Sequence, residues 1–281
     1  MTSATEHPRR ILAALAVAFV TLSVVAAGAR ASADRTGTPQ ATKPTIVLVH
    51  GGWADSAGWN EQVTKLQRLG YPVIAPANPL RGLASDAAYV RSVLLTIETP
   101  IVLVGHSYGG AVISNGAIDV PNVKALVYIA AFAPDKGESL LKLVTMNPGS
   151  EIGPMTLITR KYPTAAGGEG TDLYHTNHGF RTAFAADVPA KIADQMWAGQ
   201  RPFSEDAFGS PSSEPAWKTI PSWYLVATED RAIPPVTQRF MANRAKATIV
   251  QERSSHVPMI SKPASTTNLI LEAARSVTSA N

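Results

Sequence analysis

The chain reads Ile101-Val102-Leu103-Val104-Gly105-His106-Ser107-Tyr108-Gly109-Gly110, a short apolar run followed by a glycine-rich turn. The β-branched run predicts a buried strand, and the residues after the turn have a helix-like pattern. The pattern G-x-S-x-G between a strand and a helix is typical of a nucleophile elbow, which holds a serine hydroxyl above the end of a sheet. The flanking glycines are needed because larger side chains would collide where the backbone folds back. Ser107 is therefore the candidate nucleophile.

Strand and helix patterns alternate on both sides of this turn. Short apolar runs predict strands at 45–49, 71–75, 125–129, 222–227 and 248–252. Apolar residues at helical spacing predict helices at 59–69, 85–97, 236–245 and 264–277. Such alternation is typical of a mostly parallel sheet with helices on both faces, in which sites form at the carboxyl ends of strands.

The alternation breaks between residues 136 and 216. This segment contains a glycine-rich bend at residues 167–170 and helical pieces such as 188–197. It is too long for a plain connection, so we expect an inserted helical cap above the site. The core then consists of residues 45–135 and 217–281.

Residues 1–33 have the pattern of a bacterial-type signal peptide. A basic start at Arg9-Arg10 precedes the uncharged stretch 11–29, and two small-x-small cleavage sites follow, ending at Ala31 and Ala33. The alternative is an uncleaved anchor, since nineteen uncharged residues could just span a bilayer. We expect cleavage, an exported (periplasmic or secreted) protein without stable membrane association, and a disordered lead-in at 34–44.

Composition excludes several classes of protein. The 281 residues are 45% hydrophobic and 16% charged, which fits one sizeable globular core, and the formal charge is +4. No run of lysine or arginine stands out, so a nucleic-acid partner is not expected. The absence of cysteine rules out a thiol nucleophile and disulfides. No GxGxxG pattern, Walker loop or cofactor lysine occurs, so no cofactor is expected.

The chain from residue 45 to 274 resembles the α/β-hydrolase superfamily, in a capped branch related to small esterases and hydroxynitrile lyases. The matching segments are His50-Gly51-Gly52-Trp53, Gly105–Gly110, Thr228–Pro234 and Ser255-His256. The resemblance implies the α/β-hydrolase fold. Too few residues precede Thr45 to supply the superfamily's opening antiparallel hairpin, so we expect a shortened sheet of about six strands.

The catalytic base is found by elimination among six histidines. His7 lies in the leader, His175 and His178 lie in the cap, and His50 and His106 flank glycine turns, where an imidazole packs or bonds locally. His256 remains, in a loop between the last strand and the last helix. Its unperturbed pKa suits the removal and return of a serine proton near neutral pH.

Three carboxylates are candidates for the group that orients the base. Asp230 fits the acid-x-x-x-Pro turn of the superfamily, which ends here at Pro234, and it stands between Ser107 and His256 in the expected order. Asp135 and then Glu229 are the alternatives, since each follows a predicted strand. A hinge position for Asp135 and a solvated position for Glu229 would explain them equally well.

The remaining site residues follow from the chemistry of acyl transfer, which needs two amide donors for the oxyanion. The N–H of Tyr108 is one, and the family position of the other is Gly52. Trp53, Trp197 and Phe184 are the candidate lining of a substrate pocket. The spacing of Asp172, His175 and His178, with Asp187 beyond them, matches no recognised zinc site, so we expect polar cap surface and no metal.

These features favour an exported serine hydrolase that cleaves small to medium carboxylic esters or lactones through an acyl-enzyme. Two alternatives stay open. Relatives of this architecture include hydroxynitrile lyases, cofactor-independent oxygenases and non-metal haloperoxidases, which use the same serine and histidine without an acyl-enzyme. Plant hormone receptors use the fold for binding with little turnover.

Overall fold

The computed structural model describes residues 42–279. The predicted signal peptide 1–33 lies outside the described residues, as does the predicted lead-in 34–44 except for its last three residues. In the described part of the chain, no helix is long and apolar enough to cross a membrane.

A six-stranded parallel sheet carries the site. The strands of the described chain are β1 (Thr45–Val49), β2 (Val73–Ile74), β3 (Ile101–His106), β4 (Val123–Ile129), β5 (Leu157–Pro163), β6 (Glu169–His175), β7 (Phe203–Ser204), β8 (Ser222–Ala227) and β9 (Thr248–Glu252). The order across the sheet is β2-β1-β3-β4-β8-β9, with all neighbours parallel. This confirms the expected sheet of about six strands. The strand order reverses between β1 and β3, which places a crevice at their carboxyl ends.

Helices cover both faces of this sheet. The helices of the described chain are α1 (Asn60–Arg68), α2 (Leu83–Leu94), α3 (Tyr108–Gly116), α4 (Leu140–Val144), α5 (Asn177–Gly179), α6 (Ala190–Ala198), α7 (Glu205–Gly209), α8 (Pro235–Arg244), α9 (Pro258–Ser261) and α10 (Pro263–Ser279), of which α4 to α7 belong to the cap. Single turns of 3₁₀ helix occur at Ser56–Trp59 and Ala216–Lys218, and a π-helical turn occurs at Phe180–Phe184.

Burial explains why the central strands are continuous apolar runs. Every residue of β1, β3 and β8 is buried, whereas the edge strands β2 and β9 are half-buried or exposed. A parallel strand that is covered on both faces has no polar side to alternate with, which matches the sequence pattern.

The inserted cap is part sheet, whereas the sequence analysis expects a helical one. Strands β5, β6 and β7 form a three-stranded antiparallel sheet beside the short helices α4 to α7. The glycine-rich bend is the turn of the β5–β6 hairpin, where Gly167 and Gly168 have positive φ angles of 84° and 88°. The two ends of the cap meet, since the N–H of Gly137 donates to the carbonyl of Ser212 at 2.9 Å and the N–H of Ser212 donates to the carbonyl of Glu138 at 2.8 Å.

Polar contacts hold the cap on the core. The guanidinium of Arg81 pairs with Asp172 of β6 at 2.9 Å and also donates to the carbonyl of Pro202. The indole N–H of Trp53 donates to the carbonyl of Leu173 at 2.9 Å. These contacts come from the loops at the carboxyl ends of β1 and β2, so the cap lies over the crevice.

Candidate active site

Ser107 stands at the tight turn between β3 and α3. Its φ and ψ angles are 53° and −123°, a backbone conformation that L-residues rarely adopt. A Cβ atom on Gly105 would lie 2.6 Å from the carbonyl oxygen of Gly109, and one on Gly109 would lie 2.4 Å from that of Val49. Both glycines are therefore required by close backbone approach, as the elbow pattern predicts.

Three side chains from different strand ends form one hydrogen-bonded chain. Ser107 Oγ lies 2.8 Å from Nε2 of His256, and Nδ1 of the same imidazole lies 2.7 Å from Oδ2 of Asp230. All three residues are at most 4% exposed. Because a carboxylate only accepts, Nδ1 carries the proton, and Nε2 is left to accept from the serine hydroxyl. This is the geometry that a Ser-His-Asp triad needs.

The carboxylate of Asp230 is held by further donors. Its Oδ1 accepts from the N–H groups of Ala232 (2.7 Å) and Ile233 (3.0 Å), and its Oδ2 accepts from Nε2 of Gln238 at 2.7 Å. Gln238 is fully buried, and its Oε1 accepts from the N–H of Ala227 at 3.0 Å. These bonds fix the direction in which Asp230 faces His256.

The two alternative carboxylates point elsewhere. Asp135 pairs with Lys218 at 2.7 Å, and this contact holds the pKa of Asp135 below its usual range. Glu229 pairs with Arg253 at 2.6 Å on an exposed surface. Of the three candidates, Asp230 alone bonds to the imidazole of His256 in the described chain.

The turn after β1 packs directly against the elbow. A Cβ atom on Gly51 would lie 2.6 Å from Cβ of Ser107, so only glycine fits there. Gly52 follows at once, and Tyr108 follows Ser107 at the start of α3. Among the hydrogen bonds within residues 42–279, neither the N–H of Gly52 nor that of Tyr108 has an acceptor. Both predicted oxyanion donors are thus without a partner beside the nucleophile.

Tyr108 is anchored by a buried carboxylate that the sequence analysis missed. Its hydroxyl donates to Oδ2 of Asp86 at 2.7 Å, and Asp86 also accepts from the N–H of Arg81 at 3.0 Å. Burial raises the pKa of Asp86. A sequence signal existed, because Asp86 lies one helical turn before Val90 on the apolar face of α2.

An apolar cavity of about 550 Å³ lies between the cap and the core. Trp53 and Phe184 line it, and the ring of Phe184 is 5.1 Å from that of His256, so one wall of the cavity packs against this imidazole, although neither Ser107 nor His256 is among the lining residues. Trp197, the third predicted pocket residue, does not line this cavity. Its indole N–H donates to the carbonyl of His175 at 3.0 Å, which turns the side chain into the cap.

The expectation of polar cap surface is wrong for Asp172 and His175, which are buried, whereas His178 and Asp187 are exposed. Asp172 pairs with Arg81, and Asp187 accepts from the hydroxyl of Ser255. His175 is buried against the ring of Trp53, 4.4 Å between centroids. In the part of the chain that the structure describes, no group of three or more His, Asp or Glu side chains could hold a metal ion.

Comparisons with known proteins agree with this fold. The model of the alpha/beta hydrolase family matches residues 46–268. A relative from Aspergillus novofumigatus, "Alpha/beta hydrolase nvfD", is 27% identical, over 83% of this chain and 97% of the relative. "Putative methylesterase 11, chloroplastic" of Arabidopsis thaliana is 26% identical, over 82% of this chain and 64% of the relative. The crystal structure of polyneuridine aldehyde esterase has a TM-score of 0.71 at 18% identity, covering 82% of this chain and 99% of that one. The chain belongs to the alpha/beta hydrolase family.

Proposed function

We propose that this alpha/beta hydrolase is a serine hydrolase that cleaves small to medium carboxylic esters, or lactones, through an acyl-enzyme. The observation that carries the proposal is the chain of short hydrogen bonds from Ser107 through His256 to Asp230. A relative named a methylesterase supports ester hydrolysis as the reaction.

Acylation begins at Ser107. As its Oγ attacks the ester carbonyl, His256 Nε2 takes the hydroxyl proton, and Asp230 stabilises the imidazolium that forms. The carbonyl oxygen gains negative charge, which the N–H groups of Gly52 and Tyr108 receive. His256 then gives the proton to the departing alcohol, and the acyl group stays on Ser107.

Deacylation repeats these steps with water as the nucleophile. His256 Nε2 takes a proton from water, the hydroxide attacks the acyl carbonyl, and the same proton returns to Ser107 Oγ. The products are a carboxylic acid and free enzyme. The residues described above supply every proton transfer that this cycle needs.

The cavity indicates the kind of ester. Its volume of about 550 Å³ and its largely apolar wall, which includes Trp53, Phe184 and Met196, suit a substrate with an apolar portion of medium size. We expect turnover of p-nitrophenyl acetate and butyrate, and a decline toward sixteen-carbon acyl chains.

Replacement of the nucleophile tests the mechanism. Ser107→Ala should lower kcat for p-nitrophenyl butyrate by about 10⁴-fold or more. Ser92→Ala is the matched control, because Ser92 is exposed and its hydroxyl donates to the nearby backbone carbonyl of Tyr89. A fluorophosphonate probe should label wild type and not Ser107→Ala. Folded wild type that resists the probe would favour a lyase, oxygenase or receptor over an esterase.

We also propose that the protein is exported and that its signal peptide is cleaved. Support comes from the basic start at Arg9-Arg10, the uncharged stretch 11–29 and the small residues before Asp34. Expression of the full chain in a bacterial host, followed by N-terminal sequencing of the active fraction, should give a start at Ser32 or Asp34. An uncut chain that pellets with membranes would favour the anchor.

A further inference from the structure

His106 makes a contact outside its own turn. It is the last residue of β3 and is fully buried, and its Nε2 lies 2.8 Å from the backbone carbonyl oxygen of His256, which is 150 positions away. The two imidazole rings are 4.9 Å apart between centroids. This bond joins the residue before the nucleophile to the residue that serves as base.

Within residues 42–279, this is the hydrogen bond that the backbone of His256 makes. His256 lies in the loop between β9 and α9, and in the described chain no other group bonds to its carbonyl or to its N–H. The other two bonds of His256 are made by the imidazole, to Ser107 and Asp230. Ser254 and Val257 on either side have backbone bonds of their own, so the bond from His106 is what fixes the peptide between His256 and Val257.

The bond requires one tautomer of His106. A backbone carbonyl only accepts, so Nε2 must carry the proton and Nδ1 is left with a lone pair. Nδ1 is buried and has no hydrogen-bond partner within residues 42–279. Burial and the neighbouring His256 hold the pKa of His106 well below its usual range, which keeps the ring neutral.

We propose that His106 is a positioning residue, which fixes the backbone of His256 so that Nε2 meets the Ser107 hydroxyl at transfer distance. The inference rests on the proposed function. His106 and Ser107 are consecutive, so this dipeptide holds His256 at two points, one on the backbone and one on the imidazole. A misplacement of about 1 Å at a reacting group can cost about 100-fold in rate.

Two substitutions separate positioning from packing. His106→Gln keeps a side-chain N–H at nearly the reach of Nε2, and His106→Leu keeps the volume without a donor. For p-nitrophenyl butyrate we expect kcat of His106→Leu to fall about 10- to 100-fold with KM changed less than about twofold. His106→Gln should stay within about threefold of wild type.

A second measurement does not depend on turnover. Fluorophosphonate labelling of Ser107 should slow in His106→Leu by the same factor as kcat. The urea midpoint of this variant should fall modestly, because the buried carbonyl of His256 loses its donor. If His106→Leu does not fold, His106→Asn replaces it, since the shorter amide falls short of the His256 carbonyl.

The outcomes are distinct. Wild-type kcat in a folded variant that lacks the donor, or a His106→Gln variant as slow as His106→Leu at equal stability, would overturn the positioning role. If Ser107→Ala is inactive and His106→Leu is as fast as wild type, the inference fails and the proposed function stands. If Ser107→Ala still hydrolyses the ester, the proposed function fails first.

Discussion

At the residue scale, the structure distinguishes the three carboxylates that could orient His256 by their hydrogen-bond partners. Asp230 accepts from His256 and from three other donors, whereas Glu229 and Asp135 each pair with an exposed or half-buried cation. An acid that orients a histidine must be buried and fully bonded, because any freedom of the carboxylate passes to the ring.

Asp230→Asn should therefore lower kcat for p-nitrophenyl butyrate by about 10³- to 10⁴-fold, because an amide facing Nδ1 favours the wrong tautomer of His256. Glu229→Gln and Asp135→Asn are the controls, and both should stay within about twofold of wild type. Steady-state kinetics with circular dichroism as a fold check measures this. Equal losses in Asp230→Asn and Asp135→Asn would contradict the assignment.

Local turn motifs and the order of residues along the chain are enough to predict part of the site. Ser107, His256 and Asp230 were each found in this way. Gln238 was not, because its role depends on α8 folding back over the end of β8, and a glutamine in a helix has no distinguishing pattern. The bond from His106 to His256 was missed for the same reason, since it joins residues 150 positions apart.

At the element scale, the core was predictable and the cap was not. The central strands are buried on both faces, so their apolar runs identify them from sequence. Strand β5 contains Arg160 and Lys161 and is mostly exposed. It therefore lacks both the apolar run and the period-two alternation by which a strand is found. Only the glycines of its hairpin turn left a signal.

Arg81 makes an extensive polar contact between the core and the cap, because its guanidinium contacts three parts of the cap. It pairs with buried Asp172, donates to the carbonyl of Pro202 and lies 4.8 Å from the ring of Tyr162. Arg81→Met should lower the free energy of unfolding by about 2 kcal/mol, since it leaves the Asp172 carboxylate unpaired while the arginine itself is a third exposed.

The matched control for Arg81→Met is Arg231→Met. Arg231 pairs with Glu151 at 3.4 Å, and both side chains are exposed. We expect a change of at most about 0.5 kcal/mol there. Urea unfolding of both variants at pH 7 gives the comparison. Equal destabilisation by the two substitutions would show that the Arg81 contacts do not hold the cap.

At the scale of the whole molecule, buried histidines make stability depend on pH. Burial lowers the pKa of His50 and of His106, and it lowers the pKa of His175 to about 3. Below the unfolded value of about 6.5, the unfolded chain binds protons that the folded chain does not. The stability that comes from keeping these three histidines neutral is therefore fully present above pH 6.5. It is lost as the pH falls toward the pKa values of the folded protein.

His175→Phe should flatten this dependence. The substitution removes one proton of difference between the two states, which is about 1.4 kcal/mol per pH unit between pH 6 and pH 4. The ring of phenylalanine keeps the contacts with Trp53 and Phe184. Urea midpoints of wild type and variant from pH 8 to pH 4 measure the slopes, and parallel curves would contradict the prediction.

The cap enters and leaves the core at one place, because Gly137 and Ser212 at its two ends are hydrogen-bonded to each other. Because its entry and exit are hydrogen-bonded neighbours, the length of the segment between them adds little to the entropy of closing that loop, and the contacts of Arg81 and Trp53 with the cap are what a replacement would have to restore. Under the proposed function, exchange of residues 138–211 for another segment would change the wall of the cavity, which includes Phe184 and Met196, while Ser107, His256 and Asp230 stay on the strand ends of the core.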